Sequence, residues 1–163
     1  MGVCRHRALI SAPLPQVWDL IARVENLHVW GPAIEPVPGI DRPMQAGDRV
    51  TFWRRDFFRR YTQELVVEEV IPQRCLRFRD LSKSGQKADV RAKLSVADSG
   101  HPESTWIEEE ISYSVGKNRV ILWFDRYLLN PLMQLAVASK SRKVFRRLEE
   151  LFKNAEKKSE LRQ

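Results

Sequence analysis

The sequence predicts an α+β fold, a curved antiparallel sheet of about seven strands wrapped on a long C-terminal helix, with two short helices after the first strand. Three observations predict it. In residues 88–96, Ala88, Val90, Ala92, Leu94 and Val96 alternate with Asp89, Arg91, Lys93 and Ser95. Strand side chains point to opposite faces in turn, so this is a half-buried strand with one wet face. From about Asp125 the apolar period lengthens to three and a half. Val137, Ser141, Val144, Leu148 and Leu151, with Phe145 and Phe152, make one stripe of a long helix. The connections between strand-like segments are short, which favours antiparallel neighbours.

Residues 3–10 alternate loosely and end at Ser11-Ala12-Pro13, giving the first strand. Ser11 or Pro13 opens a helix that carries Val17, Trp18, Leu20, Ile21 and Val24. A second helical turn at 25–30 is stopped by Gly31-Pro32. Ala33–Ile40 is rich in proline and glycine, so a strand there is an irregular edge. Strands follow at 49–55, 60–71, 75–81, 88–96 and 105–115, divided by turns at 43–47, 72–74, 82–86 and 98–104. No repeat or linker divides the chain. Residues 1–157 read as one domain and 158–163 as a polar tail expected to fray.

The 163 residues suffice for one core, and 43% hydrophobic with 30% charged residues is ordinary for a globular protein. The net charge of +7 points either to an anionic partner or to a merely solvated basic surface. Cys4 and Cys75 lie far apart and out of any metal spacing, so reduced thiols and a cytoplasmic location are expected. The N-terminus has no secretory pattern, and His6 breaks the myristoylation pattern. No apolar run approaches the ~18 residues of a membrane span.

Several segments, in this order, resemble the polyketide cyclase/dehydrase branch of the START-like (SRPBCC) superfamily, whose architecture is the helix-grip fold. Ile10-Ser11-Ala12-Pro13-Leu14-Pro15-Gln16-Val17-Trp18-Asp19-Leu20-Ile21 is similar to that family's opening. Val29-Trp30-Gly31-Pro32 resembles its "WxP", and Val70-Ile71-Pro72 through Leu76-Arg77-Phe78 its hairpin with proline. Thr105-Trp106-Ile107 through Tyr113 resembles its final strand, and Leu128-Leu129-Asn130-Pro131-Leu132, leading into Phe145-Arg146-Arg147-Leu148, its closing helix. The resemblance spans nearly the whole chain. It implies a cavity between sheet and long helix, as in lipid carriers, coenzyme Q-binding proteins and aromatase/cyclases, with no fixed catalytic set.

The expected function is therefore binding or carriage of a hydrophobic small molecule: a lipid, quinone or polyketide-like compound. The alternatives are a cyclase/dehydratase-type enzyme, with Glu109 or Tyr113 moving protons, and a basic module binding RNA or protein. Inward parity assigns the ligand face to Phe52, Val90, Ala92, Leu94, Ile107, Glu109, Ile111 and Tyr113, with Ser141 from the helix. Glu109 shares its face with Ile107, Ile111 and Tyr113. A buried carboxylate needs a partner, and Arg54 or Arg142 is the candidate. A bulge turning Glu109 outward, a structural ion pair, ligand recognition and acid/base catalysis all remain open. Trp53 and Tyr61 are further aromatic candidates for the cavity, whereas Trp18 and Trp30 read as packing residues.

His6, His28 and His101 are scattered, so neither a metal nor a cofactor is expected. Asp98-Ser99-Gly100-His101 reads as a turn, not a catalytic relay. Alternate turns of an antiparallel meander share an end, so the segments 54–60, 81–87 and 116–124 form a mouth. It combines Arg55, Arg59, Lys117 and Arg119 with Phe57, Phe58 and Trp123, the composition of an anionic membrane contact. A buried or oligomer contact and a single-stranded nucleic acid contact are the other readings, nucleic acid being the less apolar surface.

Overall fold

The computed structural model describes residues 2–31, 33–35, 37, 40, 42–56, 59–81, 89–114, 139 and 142–154, with residues 56 and 59 in backbone only. Strand β1 (Gly2–Ile10) leads into helix α1 (Leu14–Ile21), a 3-10 turn at Val24–Asn26 and the one-turn helix α2 (Leu27–Trp30). Strands β2 (Arg49–Asp56), β3 (Arg59–Ile71), β4 (Cys75–Asp80), β5 (Val90–Asp98) and β6 (Thr105–Tyr113) follow. The C-terminal helix α3 is described over 142–154.

The strands form one sheet in the order β1-β6-β5-β4-β3-β2, antiparallel throughout. Only β1 and β2 are sequence neighbours that do not pair. They occupy opposite edges, so the link between them crosses a sheet face, and α1 packs over β5 on the way. Pro15 stands in the first turn of α1, where its missing N–H costs nothing. Val17 and Ile21, one turn apart, are the buried face of this helix.

Among the described residues there are six strands, not seven. The expected irregular strand at 33–40 is absent from the described residues of that stretch. Ala33 and Val37 are buried, and the Ile34 N–H donates to the Trp53 carbonyl at 3.0 Å, beside the free edge of β2. Pro32, Pro36 and Pro38 have no N–H to continue a ladder, so one bond does not become a strand.

The core lies between the sheet and the helices. Ile10, Val17, Ile21, Leu27, Leu76 and Ile107 are almost wholly buried there. Phe145 and Leu148 of α3 join the same core, with Val144 and Phe152 packed against it. Leu151, expected on this stripe, is 41% exposed; its position lies off the line through Phe145, Leu148 and Phe152. Trp30 is buried and meets Phe78 with ring centroids 6.4 Å apart, and Trp18 packs against the core, as packing residues should.

One irregularity bends the sheet. The β3–β4 register shifts between Val67 and Glu69, leaving Glu68 as an extra residue. Odd positions of β3 face the core before this bulge and Val70 does so after it. The approach to β2 is fitted to the same place. Gly47, at φ 93°, donates its N–H to the Val67 carbonyl at 2.8 Å, and Val67 donates to Asp48 in return. Arg42 bonds both Asp48 carboxylate oxygens (2.9 and 2.8 Å), and the Gln45 N–H donates to the same group. The Arg42 hydrogen bonds hold the Asp48 carboxyl below its ordinary range, against the effect of partial burial.

Two predictions follow from these ties. Asp48 has its depressed value only when folded, so its stabilisation is complete above about pH 4 and is lost as the pH falls through the folded value. Asp48→Asn should lower the melting temperature at neutral pH, and the gap to the parent should narrow on acidification; a constant gap between pH 7 and pH 2 would refute the linkage. At the other end of the sheet, Thr105 is fully buried and its Oγ1 donates to the Ala12 carbonyl at 2.8 Å. Thr105→Val keeps the shape and strands that carbonyl. It should cost about 1–2 kcal/mol by urea unfolding.

Candidate ligand-binding face

The register decides which expected residues meet on the inner face of the sheet. Val90 pairs with Tyr113, Ala92 with Ile111, Leu94 with Glu109 and Val96 with Ile107. Phe52 reaches the same face from β2 opposite Gln63. The residues differ in depth. Phe52, Leu94, Ile107 and Tyr113 are buried, whereas Val90, Ala92, Glu109 and Ile111 are half-buried. The first group belongs to the packed interior, and the second borders the accessible part of the face.

A polar row crosses this face near the β2–β3 hairpin. Arg54 Nη1 donates to Gln63 Oε1 at 2.9 Å, and Gln63 Nε2 donates to Asp80 Oδ2 at 2.8 Å. Gln63 is 6% exposed. Its amide is engaged at both ends, as a buried polar group must be, and the two partners fix which way round it sits. The row joins three neighbouring strands, β2, β3 and β4, through core-facing positions.

Glu109 lies on the inner face, as parity predicts, with His6 of β1 and Leu94 of β5 as its register partners. The candidate partner Arg54 stands on β2, at the far edge, and bonds Gln63; Arg142 is exposed on α3. The His6 ring stacks on Phe145 with centroids 5.3 Å apart and planes 10° from parallel. This contact clamps α3 onto β1 directly beside Glu109. Tyr113 does not simply present its tip to a cavity. Its ring lies across Gly2, its partner on the edge strand, where a Cβ would collide with the ring.

Gln63, Asp80 and His6 are the residues that sequence reasoning missed. The signal was present for each. Gln63 has the parity of Leu65 and Val67, Asp80 that of Leu76 and Phe78, and His6 that of Cys4, Ala8 and Ile10. Trp53, an aromatic candidate for the cavity, instead points outward at 48% exposure, because in β2 the even positions face in. Cys4 and Cys75 are both buried and unbridged, and burial pushes the Cys4 thiol up. Asp98–His101 is a turn: the Gly100 N–H donates to Asp98 and the His101 N–H to the Ser99 hydroxyl.

The register also shows which strand ends lie together. Asp56 pairs with Arg59, Arg79 with Arg91 and Val90 with Tyr113, so the β2–β3 and β4–β5 connections and the end of β6 share one end of the sheet. Phe57, Phe58, Lys117, Arg119, Trp123 and Ser141 lie outside the described residues, and Arg59 is described in its backbone only. Among the described residues, no helix is long and apolar enough to cross a membrane, and no group of metal-ligating side chains gathers.

No protein-family model matches the chain, and no curated protein matches it. Solved structures do. Protein Ms6760 from Mycobacterium smegmatis is 16% identical over 94% of this chain and 92% of its own, with a TM-score of 0.67. The di-domain ARO/CYC BexL from the BE-7585A biosynthetic pathway is 20% identical over 92% of this chain, with a TM-score of 0.67. DynU16, of the dynemicin biosynthetic locus, is 15% identical over 95% of this chain, with a TM-score of 0.63. The chain spans about half the length of the last two, 46% and 48%. Identities this low show a shared architecture. The chain shares with these structures an α+β helix-grip-like fold.

Proposed function

We propose that this protein binds a hydrophobic small molecule, a lipid, quinone or polyketide-like compound, between the inner face of the sheet and α3. The observation that carries the reading is the composition of that face. Half-buried Val90, Ala92 and Ile111 offer apolar area, and the ordered Arg54–Gln63–Asp80 row offers fixed polar groups at the mouth end. Apolar burial supplies affinity at roughly 25 cal/mol per Å². A few positioned polar groups supply orientation. The fold shared with ARO/CYC BexL supports the reading at the level of architecture.

A cyclase/dehydratase-type reaction is the second reading. It is favoured by His6 and Glu109, two groups able to move protons, standing opposite one another on the inner face.

Native mass spectrometry of the purified protein tests the first reading directly, through a co-purified small molecule. Ala92→Phe fills the accessible part of the face opposite Ile111. It should cut binding of a hydrophobic probe dye at least about tenfold, while stability changes by about 1–3 kcal/mol. Unchanged dye binding in a folded variant would place the ligand elsewhere. Glu109→Gln should change binding or its pH dependence more than Glu108→Gln or Glu110→Gln, whose side chains point to the outer face. Equal effects from all three would count against the inner face as the site.

A further inference from the structure

The outer face of the sheet is a set of charged stripes that neutralise one another. Arg5 of β1 pairs with Glu110 of β6 at 2.6 Å. Arg77 and Arg79 of β4 pair with Glu69 and Glu68 of β3 at 3.1 and 3.2 Å. Arg91 meets Asp89 at 3.5 Å, and Arg49 meets Glu64 at 3.7 Å. Arg7 lies over the Trp106 ring at 4.1 Å. Lys93 forms no ion pair among the described residues, but its register partner on β6 is Glu110. One corner has no acid opposite it at all. At the β2–β3 hairpin, Arg55 and Arg60 are direct register partners. Both are exposed, both point outward, and neither has an acidic partner among the described residues.

Like charges directly opposite in a ladder repel. No acidic side chain among the described residues relieves the repulsion here, and apolar side chains stand beside it. Trp53, two residues before Arg55 on the same face, is 48% exposed. Ile34, 38% exposed, is tied by its backbone to Trp53 along the free edge of β2. Thr62, opposite Trp53, carries no charge, and Glu64, opposite Thr51, is engaged by Arg49. Two unneutralised guanidinium groups beside an exposed indole and an aliphatic side chain match a lipid interface. Arginine contacts the anionic headgroups there, and tryptophan sits at their level.

We propose that the outer corner formed by Arg55, Arg60, Trp53 and Ile34 docks on an anionic phospholipid surface. The corner lies at the mouth end of the sheet, so docking would bring that end to the bilayer. The proposal does not depend on what the inner face binds. A convex corner with an aliphatic residue favours a bilayer over a nucleic acid strand, which calls for a channel and several stacking rings.

Co-sedimentation of the full chain with vesicles of phosphatidylcholine, with and without phosphatidylglycerol, tests it. Binding should require the anionic lipid and weaken with salt, because exposed charges are screened over roughly 8 Å at physiological ionic strength. The double variant Arg55→Gln/Arg60→Gln should lose about thirtyfold, about fivefold for each arginine. The control Arg77→Gln/Arg91→Gln removes the same charge from the neutralised part of the face and should lose far less. Trp53→Ala should weaken binding at high and low salt alike, since apolar burial is not screened. Removing the repulsion should leave the melting temperature of the first double variant unchanged or raised, which certifies its fold. Equal losses in the two double variants would show a response to net charge alone and overturn the proposal. Equal binding to neutral and anionic vesicles would overturn it too. So would retention of a single-stranded oligonucleotide that depends on Arg55 and Arg60, with no vesicle binding.

Discussion

The placement of β6 between β1 and β5 is the constraint on which the rest of the structure depends. It joins the start of the chain to its last strand over nine register pairs, from Gly2 with Tyr113 to Ile10 with Thr105. That pairing puts His6 beside Glu109 and under Phe145, and so gives α3 its seat. It also holds the far end shut, where Thr105 bonds the Ala12 carbonyl as the chain turns toward α1. Side chains in a strand alternate with a period of two, so a slip of one residue would turn Ile107, Glu109 and Tyr113 outward together. The buried Ile10 and Ile107, at 1% and 0% exposure, fix the register against such a slip, since exposing either forfeits its burial.

The inner face is polar toward the β2–β3 hairpin and apolar away from it, and the two halves are stabilised differently. Val67, Leu76, Val96 and Ile107 need only contact. Gln63 needs partners, because an amide at 6% exposure is costly without them. Arg54 and Asp80 supply them from the adjacent strands. A leucine at position 63 would fit the hydrophobic pattern of β3 and would leave the guanidinium and the carboxylate without this bridge. For packing alone the amide is therefore the poorer choice. Its presence is better explained by the need to hold a charged pair in a set orientation near the β2–β3 hairpin.

Much of this was legible in the sequence, and the reason is local periodicity. The strand at 49–55 and the alternation after 88 recur as β2 and β5 within two residues at each end, and parity alone brought Glu109 to the inner face. What was not legible is non-local or local in an atypical way. The stretch 33–40 holds enough apolar residues to suggest an edge strand, but burial of Ala33 and Val37 consumes them without a ladder. The bulge at Glu68 is set by pairing with β4 and by the Asp48–Val67 bonds, neither of which a strand announces in its own residues. Gln63 was passed over because a polar residue at a core parity is normally discounted; only its partners on β2 and β4, nine and seventeen residues away, explain it. Leu151 and Trp53 show the converse, large apolar residues whose parity or helical phase turns them to solvent.

The outer face shows why net charge is a poor guide to a surface. A balance of +7 spread evenly would suggest a general affinity for anions. Instead, Arg5, Arg77, Arg79 and Arg91 pair with carboxylates on β6 and β3 or with a neighbouring acid, Arg7 lies over Trp106, and Lys93 stands opposite Glu110 in register, so that part of the surface presents little field. Exposed pairs of this kind contribute roughly 0–1 kcal/mol each to stability, so their main consequence is to cancel charge. On the described sheet, the corner carrying Arg55 and Arg60 opposite each other has no acid to cancel them. This corner backs directly onto the inner polar row, since Arg54 and Arg55 are adjacent in β2 and point to opposite faces. One hairpin thus carries an ordered guanidinium on the inside, bonded to Gln63, and on the outside two that have no acidic partner among the described residues. The alternation of a single strand gives this end of the sheet its polarity on both faces at once.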